Sequence, residues 1–381
     1  MQPKVLFTAS TCSHILNFHL PYLRRFREAG WQVQVACRDA AGASAYADVV
    51  WELPFEKNLL SAANFRAAGI IRRKIKAENY QLITTHTSLA AFFTRFALWG
   101  MRRRPPLVNM VHGYLFDDDT SFLKRQMYLW AERLTAGQTD LLLTMNRGDY
   151  ELACRYQLGR RIAKVPGVGV DFDRFAGAEL AAAGQRLRER LGLCEEQLLV
   201  VYGAEFSGRK SQQVLVQALT MLPERFVLAL PGQGGLWQEC QKQAAALGLG
   251  GRILLPGQVQ DMPVWLAAAD IAASSSRSEG LPFNIMEAMY AGLPVVASAV
   301  RGHVDLLEDE VSGLLYPYGD AGACAACLSR LEDRNLRRSL GMEAQKRVQK
   351  YDLDQVLPQV WRQYMSLVEV QNEVHNNKEK K

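Results

Sequence analysis

The chain contains 381 residues, of which 49% are hydrophobic and 22% are charged. This balance excludes an intrinsically disordered protein, and the length predicts two domains at about 100 to 200 residues each. No uncharged run approaches the roughly 18 residues of a membrane-spanning helix, and no signal peptide precedes the first predicted strand. The seven cysteines are scattered and odd in number, which indicates free thiols and a cytoplasmic location.

Positive charge is concentrated in the amino-terminal half. Residues 1–178 carry 24 Lys and Arg against 15 Asp and Glu, a net charge of +9, whereas the remaining 21 against 24 give −3. One stretch of this half combines basic and aromatic side chains: Phe92, Phe93, Phe96 and Trp99, then Arg102, Arg103 and Arg104. This cluster predicts peripheral contact with an anionic membrane, at the inner face of the cell membrane. The alternative is a core-facing aromatic stripe that ends in solvated arginines; no nucleic-acid-binding motif accompanies it.

Short apolar strands alternate with helical segments along the chain, which is typical of parallel α/β sheets. The strands predicted in the first half are VLFTAS, WQVQVAC, QLITTH, LVNMVHG and DLLLTMN. After KVPGVGVDFDRF the pattern begins again with LLVVYGAEF, FVLALPG, RILLPGQ, DIAASSS and VVAS. We therefore expect two doubly wound domains, residues 1–170 and 171–351, followed at 352–381 by a helix that returns to the first domain and a frayed tail. Ligands of such sheets bind beyond the carboxyl ends of the strands, in a cleft between the domains.

The segment SEGLPFNIMEAMYAGLP, residues 278–294, indicates function most directly. Gly280 lets the backbone approach a ligand, and Pro282 suits the first position of the helix that follows. The amide groups at the start of that helix would bind a diphosphate. Glu279 would then lie near the distal substituent of this diphosphate. Glu287, about one turn inside the helix, could accept hydrogen bonds from both hydroxyls of a ribose. The segment predicts a nucleotide-sugar site; the alternative is two solvated glutamates beside a buried helix.

This segment resembles the E-x7-E signature of the retaining family 4 glycosyltransferases, which have the GT-B fold of two facing Rossmann-like domains. Four further segments resemble the subgroup that builds capsular polysaccharide, exopolysaccharide and lipid-linked oligosaccharide: residues 11–23, 111–116, 139–150 and 165–175. The resemblance covers almost the whole chain. It implies an amino-terminal domain that binds the acceptor and a carboxy-terminal domain that binds the nucleotide sugar.

On the donor side, the resemblance implies that Glu287 holds the ribose and that Glu279 lies against the donor sugar. The segment AEFSGRKSQQ has Ala204, Glu205 and Phe206 where a capsule-type branch has G-E-L, and Lys210 at its lysine. Lys210 is thus the expected phosphate ligand. The arginine usual in family 4 is missing, and Arg209 is a candidate substitute. The other donor-side candidates are Gly280, Leu281, Pro282 and Phe283, with Gln258 and Val259 near the base.

On the other side of the expected cleft, three histidines are candidates. The resemblance implies that His112, which follows a predicted strand and precedes Gly113, contacts the donor sugar near the reacting carbon; a core histidine satisfied by the backbone is the alternative. His14 and His19 follow the first strand, where acceptor contacts are expected. Their five-residue gap gives no helical metal pair. The catalytic residues expected are His112, Glu279 and Lys210.

No metal or other cofactor is expected, because in enzymes of this type a lysine and a helix amino terminus stabilise the leaving diphosphate. Asp117, Asp118 and Asp119 are interpreted as an exposed loop or as a contact to an acceptor hydroxyl. The function implied is retaining transfer of a sugar from a UDP-sugar to a glycan or a polyprenyl-diphosphate-linked sugar. Alternatives are a GT-B UDP-sugar epimerase, an inactive UDP-sugar-binding scaffold and an NAD-dependent oxidoreductase, although the glycines at 232–235 lack the spacing of a dinucleotide motif.

Overall fold

The computed structural model describes residues 2–116, 120–175 and 177–379, with side chains up to residue 370. It divides into two compact units. Unit 1 comprises Met1–Val168 and Asp354–Lys381, and unit 2 comprises Gly169–Leu353. Each unit contains its own parallel sheet.

Unit 1 is built on a seven-stranded parallel sheet in the order β3-β2-β1-β4-β5-β6-β7. Its strands are β1 Lys4–Thr11, β2 Gln32–Arg38, β3 Val49–Glu52, β4 Leu82–His86, β5 Leu107–Val111, β6 Leu141–Thr144 and β7 Arg161–Lys164. The central strands β4, β5 and β6 are buried at every residue, as expected for a sheet that is covered on both faces.

The helices of unit 1 cover this sheet. They are α1 Cys12–Phe18, α2 Leu20–Glu28, α3 Ala62–Ala77, α4 Ser88–Leu98, α5 Phe122–Ala136, α6 Arg147–Tyr156 and the last helix of the chain, α15 Leu353–Glu379. Helix α15 is part of the core of unit 1, because Tyr364 packs edge-on against Tyr22 and stacks with Phe26.

Unit 2 has a six-stranded parallel sheet in the order β10-β9-β8-β11-β12-β13. Its strands are β8 Leu198–Val201, β9 Phe226–Ala229, β10 Ile253–Leu254, β11 Ile271–Ser274, β12 Val295–Ser298 and β13 Leu314–Tyr316. Its helices are α7 Ala178–Arg190, α8 Gln213–Leu219, α9 Trp237–Ala246, α10 Met262–Ala268, α11 Phe283–Tyr290, α12 His303–Leu306, α13 Ala321–Arg330 and α14 Arg334–Val348.

The strand order places a topological switch point in each sheet. In unit 1 the connections reverse direction between β1 and β4, and in unit 2 they reverse between β8 and β11. The loops that leave the carboxyl ends of these strand pairs diverge, which leaves the crevice where ligands of doubly wound sheets bind. The predicted fold class of two doubly wound parallel sheets is confirmed.

Three local features differ from the expectation. The short strands β3, β7 and β13 were not predicted; β3 and β7 lie at the edges of their sheet and are largely exposed. Pro282 is the N-cap of α11 rather than its first helical residue. In the described part of the chain, no helix has both the length and the apolar character that are required to cross a bilayer.

Candidate active site

The charged donor-side candidates lie at the switch point of unit 2. Arg209 and Lys210 follow β8, and Glu279 follows β11. Both cations contact this one carboxylate, Arg209 Nη1 at 2.9 Å from Oε2 and Lys210 Nζ at 2.5 Å from Oε1. Glu279 and Lys210 are nearly buried, at 7% and 12% exposure, whereas Arg209 is 49% exposed. The structure therefore brings together the phosphate-binding and sugar-binding candidates, which lie 69 and 70 residues apart in sequence.

A hydrogen-bond network holds the carboxylate of Glu279 in place. Ser276 Oγ donates to Glu279 Oε1 at 2.6 Å and is 2.8 Å from the hydroxyl of Tyr202. Tyr202 also donates to the carbonyl oxygen of Lys210. Burial acts to raise the pKa of Glu279, but the charges of Lys210 and Arg209 and these hydrogen bonds lower it overall, so the carboxylate is ionised at neutral pH.

Burial also lowers the pKa of Lys210, and the attraction of Glu279 opposes that effect. With both cations charged, the three side chains carry a net charge of +1. That residual positive charge would attract an anionic ligand at this switch point.

Two residues near the Glu279 loop, Gly302 and His303, were not predicted from the sequence. Gly302 has a φ of +87°, and a Cβ at this position would lie 2.8 Å from the carbonyl oxygen of Glu279 and 2.9 Å from that of Gly280. The adjacent His303 is fully buried; its Nδ1 is 2.7 Å from the carbonyl oxygen of Ser298, and its Nε2 is 3.1 Å from Ser274 Oγ. Gly302, directly before α12, is the sequence signal that could have indicated this contact, because a glycine lets the backbone carbonyl groups of Glu279 and Gly280 approach closely.

Helix α11 carries the second glutamate of the motif. Glu287 is partly buried, and burial raises its pKa while the charge of Arg174 lowers it. Asn284, in the first turn, donates to the carbonyl oxygen of Gly203 at 3.3 Å, which ties the start of α11 to the end of β8. Leu281 is nearly buried and Phe283 is partly buried at the helix start.

The loop expected near the base also leaves the carboxyl edge of the unit 2 sheet. Gln258 is exposed and Val259 is partly buried in the segment after β10. Gly257 adopts a φ of +76°, and its carbonyl oxygen accepts from the amide of Gly232 at 2.8 Å. The contact of Gln258 and Val259 with a base stays a prediction.

In unit 1 the three candidate histidines lie in one cluster. His112 directly follows β5, and its ring centroid is 4.4 Å from that of His14 and 5.2 Å from that of His19. A fourth histidine, His86, ends β4 and lies 3.7 Å from His19 between ring centroids. His86 was not predicted to be a site residue, although this histidine stands at the carboxyl end of a correctly predicted strand.

Burial keeps all four imidazoles of this cluster neutral. Desolvation lowers the pKa of His14 to about 4 and holds the pKa values of His19, His86 and His112 well below their usual range. His14 and His112 also line a cavity of about 190 Å³ together with other residues after β4 and β5. Asp117, Asp118 and Asp119, which were predicted to form an exposed loop, lie outside the described residues.

The predicted membrane patch on α4 is only partly exposed. Phe93 is fully buried, and Phe92 and Phe96 pack against the core. Arg104 pairs with Asp140 at 2.5 Å, so it is not a solvated side chain. Trp99 is 46% exposed, and Arg102 and Arg103 are exposed. The membrane prediction is wrong for Phe93, because this side chain packs into the core, and for Arg104, because it pairs with Asp140.

The fold is similar to that of solved glycosyltransferases. The Anabaena protein Alr3699/HepE, in complex with UDP and glucose, aligns with a TM-score of 0.79 at 22% identity over 96% of this chain and all of that chain. WaaG, described as a glycosyltransferase involved in lipopolysaccharide biosynthesis, aligns with a TM-score of 0.72 at 18% identity over 93% and 98% of the two chains. The two parallel sheets and their switch points thus match the GT-B fold.

Sequence comparison identifies the family within this fold class. Residues 20–167 match the model of the glycosyl transferase 4-like domain, and residues 184–347 match that of glycosyl transferases group 1. The putative glycosyltransferase EpsD of Bacillus subtilis is 30% identical over 352 residues, 91% of this chain and 92% of that protein. The Escherichia coli UDP-Gal:alpha-D-GlcNAc-diphosphoundecaprenol alpha-1,3-galactosyltransferase is 26% identical over 77% of this chain and 80% of that protein. The chain belongs to the group 1, or family 4, glycosyltransferases, which are retaining enzymes, and the predicted resemblance is confirmed.

Proposed function

We propose that this glycosyltransferase moves a hexose from a UDP-sugar to a glycan or polyprenyl-diphosphate-linked sugar in the synthesis of a cell-surface polysaccharide. The observation that carries the donor assignment is the Glu279 carboxylate held between Arg209 and Lys210 at the switch point of unit 2. The UDP complex of the Anabaena protein supports the nucleotide. The Escherichia coli galactosyltransferase, whose acceptor is a diphosphoundecaprenol sugar, supports the lipid-linked acceptor.

Four charged side chains have separate roles in donor binding. Lys210 and Arg209 contact the diphosphate, whose negative charge grows as the glycosidic bond breaks; donors aimed at developing charge commonly contribute about 3 to 4 kcal/mol each. Glu279 accepts hydrogen bonds from hydroxyls of the donor sugar while it keeps the two cations in place. Glu287 binds the ribose hydroxyls from α11.

The transfer retains the configuration of the donor sugar. The acceptor oxygen attacks the anomeric carbon on the face from which the diphosphate departs, through an oxocarbenium-like transition state. The bond from that carbon to the phosphate oxygen breaks, and the acceptor proton passes to the leaving phosphate oxygen. His112 steadies the positive charge that develops on the sugar, and His14 and His19 contact the acceptor. No side chain forms a covalent intermediate.

A lipid-linked acceptor requires contact with the membrane surface, and α5 offers an exposed apolar stripe for it. Leu123, Met127 and Trp130 are 81%, 50% and 65% exposed. These positions are four and three residues apart and so lie on one helix face. At about 100° per residue, the exposed Lys124 and Arg133 flank the stripe on both sides. This arrangement fits an interfacial helix whose cations reach anionic headgroups.

A donor screen followed by a transfer assay tests the enzymatic proposal. UDP-, GDP- and ADP-sugars are compared for protection against thermal unfolding, where a ligand at one hundred times its dissociation constant adds about 2.7 kcal/mol. The protecting sugar is then incubated with a polyprenyl-diphosphate-linked sugar, and the product's anomeric configuration is determined. Glu279→Gln should abolish transfer, whereas Glu239→Gln, at an exposed glutamate of the same unit, should leave it unchanged.

Other outcomes of this screen would favour the alternatives. An epimerised sugar formed from the UDP-sugar alone would indicate an epimerase. UDP binding without turnover on any acceptor would indicate a scaffold. Protection by NAD instead of nucleotide sugars would indicate an oxidoreductase.

Flotation with liposomes tests the membrane contact. The wild-type chain should float with vesicles that contain anionic lipid at low salt, and Leu123→Glu with Trp130→Glu should abolish this binding. The matched control is Leu60→Glu, because Leu60 is equally exposed, at 81%, outside α5. A wild-type protein that stays in the soluble fraction would contradict the α5 surface and favour a soluble acceptor.

A further inference from the structure

Three imidazoles of unit 1 converge on one point. One ring nitrogen each of His14, His19 and His112 lies within 4.8 Å of the other two. His14 belongs to α1, His19 to the junction between α1 and α2, and His112 to the segment after β5. Helix α1 follows β1, and β5 is the next strand beyond β4 in the sheet, so the strand order brings His112 to His14 and His19, which lie about 100 residues earlier in the sequence.

Several ring nitrogens of these three histidines have no hydrogen-bond partner among the described residues. Nε2 of His14, both ring nitrogens of His19 and Nε2 of His112 are buried and unpaired, as is Nδ1 of the neighbouring His86. A buried polar atom without a partner costs about 1 to 3 kcal/mol, and native proteins pair nearly all such atoms. Four of these unpaired nitrogens belong to the three converging rings, and they therefore point to a bound species that accepts lone pairs or fills the space between the rings.

We propose that His14, His19 and His112 bind one divalent transition-metal ion of the zinc class. The distances fit after a small adjustment. Zinc-to-nitrogen bonds of about 2.0 to 2.1 Å in a tetrahedron separate the ligand nitrogens by about 3.4 Å, so contraction from 4.8 Å moves each donor by less than about 1 Å. Neutral imidazole is the form that binds metals. Three protein ligands leave a fourth position open, toward the cavity that His14 and His112 line.

Metal at this site would inhibit sugar transfer rather than assist it. This consequence rests on the proposed function, in which His112 contacts the donor sugar and His14 and His19 contact the acceptor. An ion bound to the imidazole of His112 prevents that ring from contacting the sugar. The leaving diphosphate is contacted by Lys210 and Arg209 in unit 2, so the ion has no role in its departure.

Cobalt substitution tests the binding without any assay of transfer. Tag-free protein is titrated with Co²⁺. A site of nitrogen and oxygen ligands gives visible absorption bands of a tetrahedral ion, whereas any of the seven thiols would add thiolate charge-transfer absorption in the near ultraviolet. We expect one Co²⁺ per chain, visible bands without the thiolate absorption, and displacement of Co²⁺ by Zn²⁺.

Variants then assign the ligands. His14→Ala and His112→Ala should each weaken Co²⁺ binding at least about tenfold. Ser13→Ala, at an exposed position next to His14, is the matched control and should bind like the wild type. Both histidines are only partly buried, and circular dichroism verifies that each variant is folded. No visible bands in the wild type, or unchanged bands in both histidine variants, would overturn the proposal, even if sugar transfer is observed.

If transfer is observed, Zn²⁺ should inhibit the wild type and Ser13→Ala equally, and chelation should restore the rate. Inhibition that is the same in the His14→Ala variant would overturn the inhibitory role. Absence of transfer with intact Co²⁺ binding would refute only the proposed function.

Discussion

Removal of Lys210, one of the two cations that contact Glu279, should destabilise unit 2 measurably. Lys210→Met keeps the apolar stem of the side chain but leaves the carboxylate, at 7% exposure, with Arg209 and Ser276 as partners. Breaking a buried ion pair typically costs about 3 to 5 kcal/mol. Since Arg209 remains and is half exposed to solvent, we expect a loss of about 2 to 3 kcal/mol in the free energy of unfolding of unit 2.

A double-mutant cycle separates the pair from its surroundings. Glu279→Gln and the combination of Glu279→Gln with Lys210→Met complete the cycle. The double variant should lose about 2 kcal/mol less than the sum of the two single losses, because the unpaired charge is absent from it. Below neutral pH the coupling should persist while Glu279 is ionised and be lost as the pH falls through its lowered folded-state pKa.

Hydrogen exchange measured by mass spectrometry suits this cycle, because the chain has two units and a single unfolding transition is not assured. Peptides that cover β8 and β11 report the opening of unit 2, and peptides that cover β4 serve as the internal reference in unit 1. Single-variant losses that add within about 0.5 kcal/mol in the double variant would refute the interpretation of a tightly coupled pair.

Four further results are expected. The neutral histidine cluster should make unit 1 sensitive to acid. As the pH falls below about 6.5, each histidine whose pKa is lowered by burial reduces the free energy of unfolding by up to about 1.4 kcal/mol per pH unit. His86→Phe should therefore reduce the pH dependence of thermal unfolding between pH 7.5 and 5.5. Glu287→Ala should raise the donor KM more than it lowers kcat, because ribose contacts are equal in ground and transition states. Transfer by the wild type and by this variant should persist in excess EDTA; a loss of transfer that Mg²⁺ or Mn²⁺ restores would contradict metal independence. Gly302→Ala should cost about 2 to 3 kcal/mol, whereas Gly248→Ala, with a φ of +70° but open space around it, should cost about 1 kcal/mol in urea unfolding.

Apolar strands could be predicted because each is a buried run, whereas edge strands carry no such signal. The sequence RIAK forms β7 with two exposed ends, and its hydrogen bonds to β6 depend on a neighbour that the local pattern does not reveal. The candidate site shows the same limit. Glu279 and Lys210 were each predicted, but their ion pair, and the support from Ser276 and Tyr202, depend on strand order in the sheet. Phe93 was misassigned because aromatic residues look alike in sequence on buried and exposed helix faces.

The chain order of unit 1 has a consequence for synthesis. Its core includes Tyr22 and Phe26 from the start of the chain and Tyr364 from α15, which is added more than 300 residues later. At about 5 to 20 residues per second, the ribosome exposes the early aromatic residues for tens of seconds before their partner emerges. Unit 2, by contrast, is one continuous stretch. During translation we therefore expect unit 2 to complete its fold first and the nascent amino-terminal sheet to depend on chaperones until α15 emerges.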